Sequence, residues 1–310
     1  MKSSRLFFLL TVTFAAAGAA FAYTMPEAAA YDGLISIDPG GMPLVPETLH
    51  VNAGAGYWAA DKGFDNDGNS VDYTNNPNCL IVPIDVGYAF DENYMADLTF
   101  QILRPSAKYT DPLTNEETTY NAMGLGDMWL KVRGIWETSN DFYLGPRIAV
   151  KIPVGKVDYS DEKLELGDDQ VDIDFAAVAG KYGGSTAFKF SGQLGFRYRM
   201  DAKVSYPGEE EYDYTPGLMI YTHLEPGIGT GSDQAFQVYV PIGYETSMTA
   251  KADGEEIDNS ETSSMYVGLY PKYELDAQNN IGLKFLYPVF GTNTPQGMYF
   301  TLTYSAFINL

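Results

Sequence analysis

From about residue 48 to its end, the chain divides into segments of roughly 11–17 residues in which apolar and polar side chains alternate. Turn-like or acidic stretches separate them. Tilted strands that cross a bilayer need this length and this period of two, because successive side chains face lipid and lumen in turn. A helix repeats every 3.6 residues and cannot carry the pattern. The alternation predicts an all-β, transmembrane, antiparallel up-and-down β-barrel of twelve strands. They are expected at approximately 48–60, 79–90, 93–104, 124–137, 141–154, 169–181, 185–201, 213–225, 235–249, 262–275, 278–290 and 296–310.

The connections supply a second signal. Four are very short: Asp91-Glu92, Thr138-Ser139-Asn140, Tyr182-Gly183-Gly184 and Asp276-Ala277. The link from Pro226 to Gln234 is longer but glycine-rich. Those between them, 61–78, 105–123, 155–168, 202–212 and 250–261, are long, with Gly291 to Pro295 a shorter member of that set. Outer-membrane barrels have short periplasmic turns and long outer loops, and an even strand count leaves both termini in the periplasm.

The faces agree with this reading. The seventh segment puts Phe188, Phe190, Leu194, Phe196, Tyr198 and Met200 on one side, and Lys189, Ser191, Gln193, Arg197 and Arg199 on the other. A slip of one residue would place cations on lipid, at about 2–4 kcal/mol each near the midplane. The ninth segment sends Phe236, Val238, Val240, Ile242 and Tyr244 outward, and the last alternates from Met298 to Leu310. A soluble sandwich would alternate too, but without the regular short and long links.

The first residues fit export. Lys2 and Arg5 precede a run of apolar and small residues, and Ala20-Phe21-Ala22 is an A-x-A site, so residues 1–22 are expected to be a signal peptide. Residues 23–47 carry Pro26, Pro39, Gly40, Gly41, Pro43 and Pro46, which oppose regular structure. Two readings stay open for them: a periplasmic extension, or a lumen plug anchored by Leu34, Ile35, Ile37, Met42, Leu44 and Val45. The barrel would occupy 48–310. The 24 Tyr, 17 Phe and 31 Gly of the whole chain suit strands and tight turns. The single cysteine, Cys79, is expected to be a packing residue. A net charge of −22 argues against nucleic acid as a partner. Sec-type export would lead to the outer membrane of a Gram-negative-type envelope. The partners there are lipid and lipopolysaccharide, together with the barrel-assembly machinery.

Collecting the inward positions predicts the lumen. Its cations are Lys131, Arg133, Arg147, Lys151, Lys189, Arg197, Arg199, Lys272 and Lys284. Its carboxylates are Asp85, Asp97, Asp127, Asp172, Asp174, Glu225, Glu245 and Glu274. Two opposite populations in a narrow barrel should pair, since lone buried charges are costly. Either an ion-pair network fills the interior, or a basic stripe on the fourth, fifth and seventh strands lines a narrow pore. A wide porin is not expected, because open channels need about 16–18 strands.

The long links are acidic, as in Glu209-Glu210-Glu211 and in the group Asp253, Glu255, Glu256, Asp258 and Glu261. Such oxygens could bind divalent cations, though solvated loops usually look the same. Asp65-Asn66-Asp67-Gly68-Asn69 resembles the start of a calcium loop but lacks its later bidentate glutamate. Catalysis finds little support. Only His50 and His223 exist, both on inward positions, without nucleophile or metal-ligand partners at diagnostic spacing. Neither enzyme activity nor a cofactor is expected.

Gly124-Leu125-Gly126-Asp127 opening a strand, followed by Pro153-Val154-Gly155 ending the next, resembles the meta-pathway phenol-degradation (MetA-type) family of outer-membrane transporters. Phe290-Gly291-Thr292-Asn293-Thr294 before a strand to the C-terminus is also similar. The resemblance implies a twelve-stranded type of barrel and passage of aromatic or other hydrophobic small molecules. It brings no catalytic residues. Leu310 departs from the aromatic terminal residue that the assembly machinery usually reads. The expected function is a narrow passive channel for small aromatic or hydrophobic solutes. The alternative is a closed structural or surface-interaction barrel without transport.

Overall fold

A computed structural model of the chain describes residues 44–72, 76–110, 117–139, 141–155, 164, 166–182, 187–204, 212–230 and 235–309. Residues 1–22, expected to be a signal peptide, nearly all of the 23–47 segment and Leu310 lie outside them. Twelve antiparallel wall strands follow one another around a closed barrel. They are β1 (Thr48–Ala59), β2 (Asn78–Ala89), β3 (Tyr94–Thr110) and β4 (Met128–Gly134 and Trp136–Ser139). Next come β5 (Phe142–Ile152), β6 (Asp172–Lys181), β7 (Phe188–Arg199) and β8 (Met219–Thr230). The last are β9 (Phe236–Tyr239 and Ile242–Ser247), β10 (Thr262–Glu274), β11 (Asn279–Thr292) and β12 (Met298–Asn309). Each pairs with its neighbours in sequence, and β12 closes the ring on β1 through the register Thr48↔Asn309 to Ala59↔Met298. Closure removes the sheet edges, which bare backbone in lipid requires.

Burial alternates as the barrel demands. Along β12, Met298, Phe300, Leu302 and Tyr304 are exposed while Tyr299, Thr301, Thr303 and Ser305 are buried. On β7, Leu194, Phe196 and Tyr198 are exposed while Gln193 and Arg197 are buried. The exposed apolar surface continues around the wall through Leu80, Ile102, Leu130, Ile148, Leu224 and Leu283. A continuous belt of this kind faces lipid, since water-soluble monomers rarely expose so much contiguous apolar area. Near the ends that carry the termini, exposed Phe90, Tyr94, Trp136, Phe236, Tyr273 and Tyr304 form an aromatic girdle.

Short turns have a local cause. Asp91 Oδ1 accepts from the Asn93 and Tyr94 amides at 2.7 and 2.8 Å. Asp276 Oδ1 accepts from the Gln278 and Asn279 amides, both at 2.8 Å. Each aspartate thereby caps the turn that the Phe90 and Leu275 amides close by donating to the Tyr94 and Asn279 carbonyls. Gly145 on β5 faces Gly134 on β4 so closely that a Cβ would strike the Gly134 carbonyl.

Three expectations need correction. Residues 226–230, read as a link, continue β8 to Thr230. Residues 213–215, read as the start of that strand, instead belong to Tyr212–Thr215, which joins Ala202–Val204, Lys251–Ala252 and Glu255–Glu256 in a sheet of the outer loops. The segment 124–137 is interrupted rather than continuous. A second small sheet joins Lys62–Phe64, Ser70–Asp72 and Thr294–Pro295. Within it the Asp65 carboxylate accepts the Asp67 and Asn69 amides and the Asn69 side-chain amide. These donors, Asn69 first, hold the carboxyl below its ordinary range. Its oxygens are committed to the turn. Among the described residues no group of three His, Cys, Asp or Glu could hold a metal ion.

Candidate functional site

The barrel interior is layered. At the outer-loop end, Trp58 on β1, Cys79 and Ile81 on β2, Leu103 on β3, Tyr266 on β10, Leu286 on β11 and Tyr299 on β12 form one buried apolar cluster. Leu166, from the link between β5 and β6, joins it. The same parity that points charged side chains inward lower on each strand points these aromatics inward here. Cys79 is a free, buried thiol.

A polar belt occupies the middle. Asp174 on β6 is fully buried, and its Oδ1 accepts from Arg147 Nη2 at 3.1 Å and from the Tyr221 hydroxyl at 2.8 Å. Arg197 Nε approaches its Oδ2 at 3.7 Å, and the guanidinium sits 4.9 Å from the centre of the Trp129 ring. Arg147 also donates to Gln193 Oε1 at 2.5 Å, and Gln193 Nε2 lies 2.8 Å from His223 Nδ1. Around the ring, Lys284 pairs with Glu225 at 2.6 Å and Lys131 with Asp85 at 3.4 Å. Lys151 pairs with Asp172 at 3.1 Å and with Asp168 at 2.5 Å. Removing such ions from water costs several kcal/mol each, which pairing and extra hydrogen bonds offset. The gathering of cations from β4, β5, β7 and β11 onto carboxylates of β2, β6 and β8 follows that requirement.

Other positions fill out the belt. Arg133 is buried and donates to Met95 Sδ at 3.0 Å. Arg199 is half-buried at the outer end, where Nε and Nη2 donate to the Gly217 carbonyl at 3.1 and 2.8 Å. Lys189 and Lys272 are buried. Asp97, Glu245 and Glu274 are half-buried, with Gln237 Nε2 donating to Glu274 at 2.5 Å.

At the end carrying the termini, Leu44 joins Ala89 of β2, Met95 of β3, Ile135 between the two halves of β4, and Val178 of β6 in a second buried cluster. This residue precedes β1, whose wall neighbours are β2 and β12. Its cluster nevertheless reaches β6, on the far side of the ring.

Asp127 has a different task from the belt. It lies between Gly124–Leu125 and β4, is 2% exposed, and accepts the Gly155 amide at 2.8 Å and the Asp168 amide at 3.4 Å. The aspartate of Gly124-Leu125-Gly126-Asp127 thus holds the glycine of Pro153-Val154-Gly155. Two sequence motifs separated by a whole hairpin meet at one carboxylate.

Inward parity marks Trp58, Tyr221, Tyr266 and Tyr299, but a period of two says which face a side chain takes and not which others it meets. Leu166 carries no such signal, because it comes from a loop.

The fold is that of known outer-membrane barrels. An outer-membrane channel from Pseudomonas putida F1 superposes with a TM-score of 0.73 at 13% identity, over 88% of this chain and 100% of that one. The translocator domain of the autotransporter NalP from Neisseria meningitidis gives a TM-score of 0.54 at 10% identity, over 95% and 97% of the two chains. No protein-family model matches the chain, and no curated protein matches it. At these identities the likeness is one of architecture, and residue roles rest on the geometry above.

Proposed function

We propose that the barrel is a narrow passive outer-membrane channel for small aromatic or hydrophobic solutes. The observation that carries this reading is the apolar aromatic cluster of Trp58, Leu103, Tyr266, Leu286 and Tyr299 inside the barrel, at its outer end. Aromatic solutes entering from outside would meet that apolar layer before the polar belt. The Asp127–Gly155 contact supports the likeness to the MetA-type family, since it gives the two motifs a shared physical purpose. The similarity to a channel in fold is consistent with transport.

Residues 1–22 are proposed to direct export, and 23–47 to enter the lumen from the periplasmic side, a reading supported by Leu44 in the inner cluster. The inward charges, among them Lys131, Arg133, Arg147, Lys151, Arg197, Asp172, Asp174 and Glu225, would form the selectivity wall.

A closed structural barrel is the second reading, favoured by the close pairing of those same charges. Liposomes carrying the purified protein separate the two. The channel reading expects faster swelling in an isotonic aromatic solute such as benzyl alcohol glucoside than in a sugar of equal size. Absence of flux for every solute would refute it and leave the closed barrel.

A further inference from the structure

Lys189, on β7 near the end of the barrel that carries the termini, is 8% exposed and makes no ion pair or hydrogen bond among the described residues. Its fellow cations differ. Lys131, Arg147, Lys151, Arg197 and Lys284 each face a carboxylate. Two residues along the same inward face, Ser191 is 1% exposed and its Oγ has no hydrogen-bond partner among the described residues. The carboxylate opposite Ser191 in the ladder is Glu225, which Lys284 engages at 2.6 Å. The natural counter-ion for Lys189 is therefore drawn across the lumen to another cation.

The neighbourhood of these two residues has a shape. Gly227 on β8 stands beside Lys189 in the ladder. The Tyr239 ring from β9 covers that glycine closely enough that a Cβ at 227 would strike it. The Tyr270 ring lies 6.0 Å from the Tyr239 ring, centre to centre. An ammonium and a hydroxyl without partners among the described residues thus share one part of the wall with two aromatic rings.

We propose that Lys189 and Ser191 form a binding station for the carboxylate of a small aromatic acid, whose ring lies against Tyr239. The ammonium and hydroxyl supply two donors, one of them charged, to two carboxylate oxygens. A single positive charge suits a monoanion. Glu225 on the adjoining strand β8 opposes anions of higher charge. A bare halide would satisfy the charge but leave the ring surface unused. The station rests on the channel reading in one respect: a solute must reach the lumen.

Isothermal titration of the full-length barrel in detergent tests it, with benzoate as the probe and benzyl alcohol as its neutral counterpart. Wild type should bind benzoate, Lys189→Met should weaken that binding by about tenfold or more, and Lys189→Arg should restore most of it. Ser191→Ala should weaken it by a smaller factor, and benzyl alcohol should not distinguish Lys189→Met from wild type. Lys189→Met removes an uncompensated buried charge, so folding should be preserved; heat-dependent mobility of the folded barrel on gels confirms this. Equal benzoate affinity in wild type and Lys189→Met, or no benzoate binding by wild type, overturns the station. Binding that depends on Lys189 in a barrel without solute flux keeps the station and removes the channel. Flux without such binding does the reverse.

Discussion

Asp174 is the residue on which most of the interior electrostatics converge. With no accessible surface of its own, it faces the guanidinium of Arg147, that of Arg197 and the hydroxyl of Tyr221. Its value lies in what its loss would leave behind. Asp174→Ala strands two buried guanidiniums beside each other, and breaking a buried pair from one side costs about 3–5 kcal/mol. Urea unfolding of the barrel in phospholipid vesicles should show that loss. Arg147→Met should cost less, because Arg197 still neutralises the carboxylate. A drop under about 1 kcal/mol for Asp174→Ala would show that water already screens the network. The sequence made this cluster partly legible. Parity placed Asp174, Arg147 and Arg197 on the inward face, and charge balance implied pairing. Which cation met which carboxylate was not legible, because the partners lie on strands whose relative heights depend on barrel tilt and stagger.

At the scale of elements, the link between β5 and β6 is tied to the wall at its two ends. Asp127 accepts the Gly155 and Asp168 amides, and Lys151 bonds the Asp168 carboxylate. Leu166 between them packs into the outer apolar cluster. Asp127→Ala removes the acceptor for both amides. A hydrogen bond to a charged group contributes about 1.5–3 kcal/mol, so hydrogen exchange at the Gly155 amide should accelerate by about tenfold or more. The unfolding midpoint of the wall strands should hardly move, because their ladders do not involve Asp127. Unchanged exchange at Gly155 would count against the latch. The same scale shows where sequence reading fails. Pro226 and the glycines after it read as a link, yet β8 continues through them to Thr230. The Pro226 carbonyl accepts from the Val240 amide at 2.9 Å, so pairing with β9 continues past the proline. Composition cannot show which side of a strand lacks the need for a donor.

For the molecule as a whole, the architecture was legible because two independent constraints, strand period and loop alternation, had to agree around a closed ring. Their agreement also fixes which surface meets lipid, and that is open to a direct test. Leu302 is exposed on β12 while Thr301 beside it is buried. If the outside faced water, Leu302→Arg would be nearly neutral, as surface substitutions usually are. In a bilayer the same change puts a cation into hydrocarbon near the middle of a strand, at about 2–4 kcal/mol. Leu302→Ala loses lipid contact alone and should cost less. Tryptophan fluorescence during urea unfolding from vesicles can follow both variants, with Trp136 in the aromatic girdle reporting on the lipid-facing surface. A cost for Leu302→Arg no larger than that for Leu302→Ala would sink the membrane orientation. With it would go the meaning of the inward charges, since their confinement to a lumen depends on the outside being apolar for lipid. The expected penalty therefore tests the premise on which the proposed channel and the Lys189 station both rest.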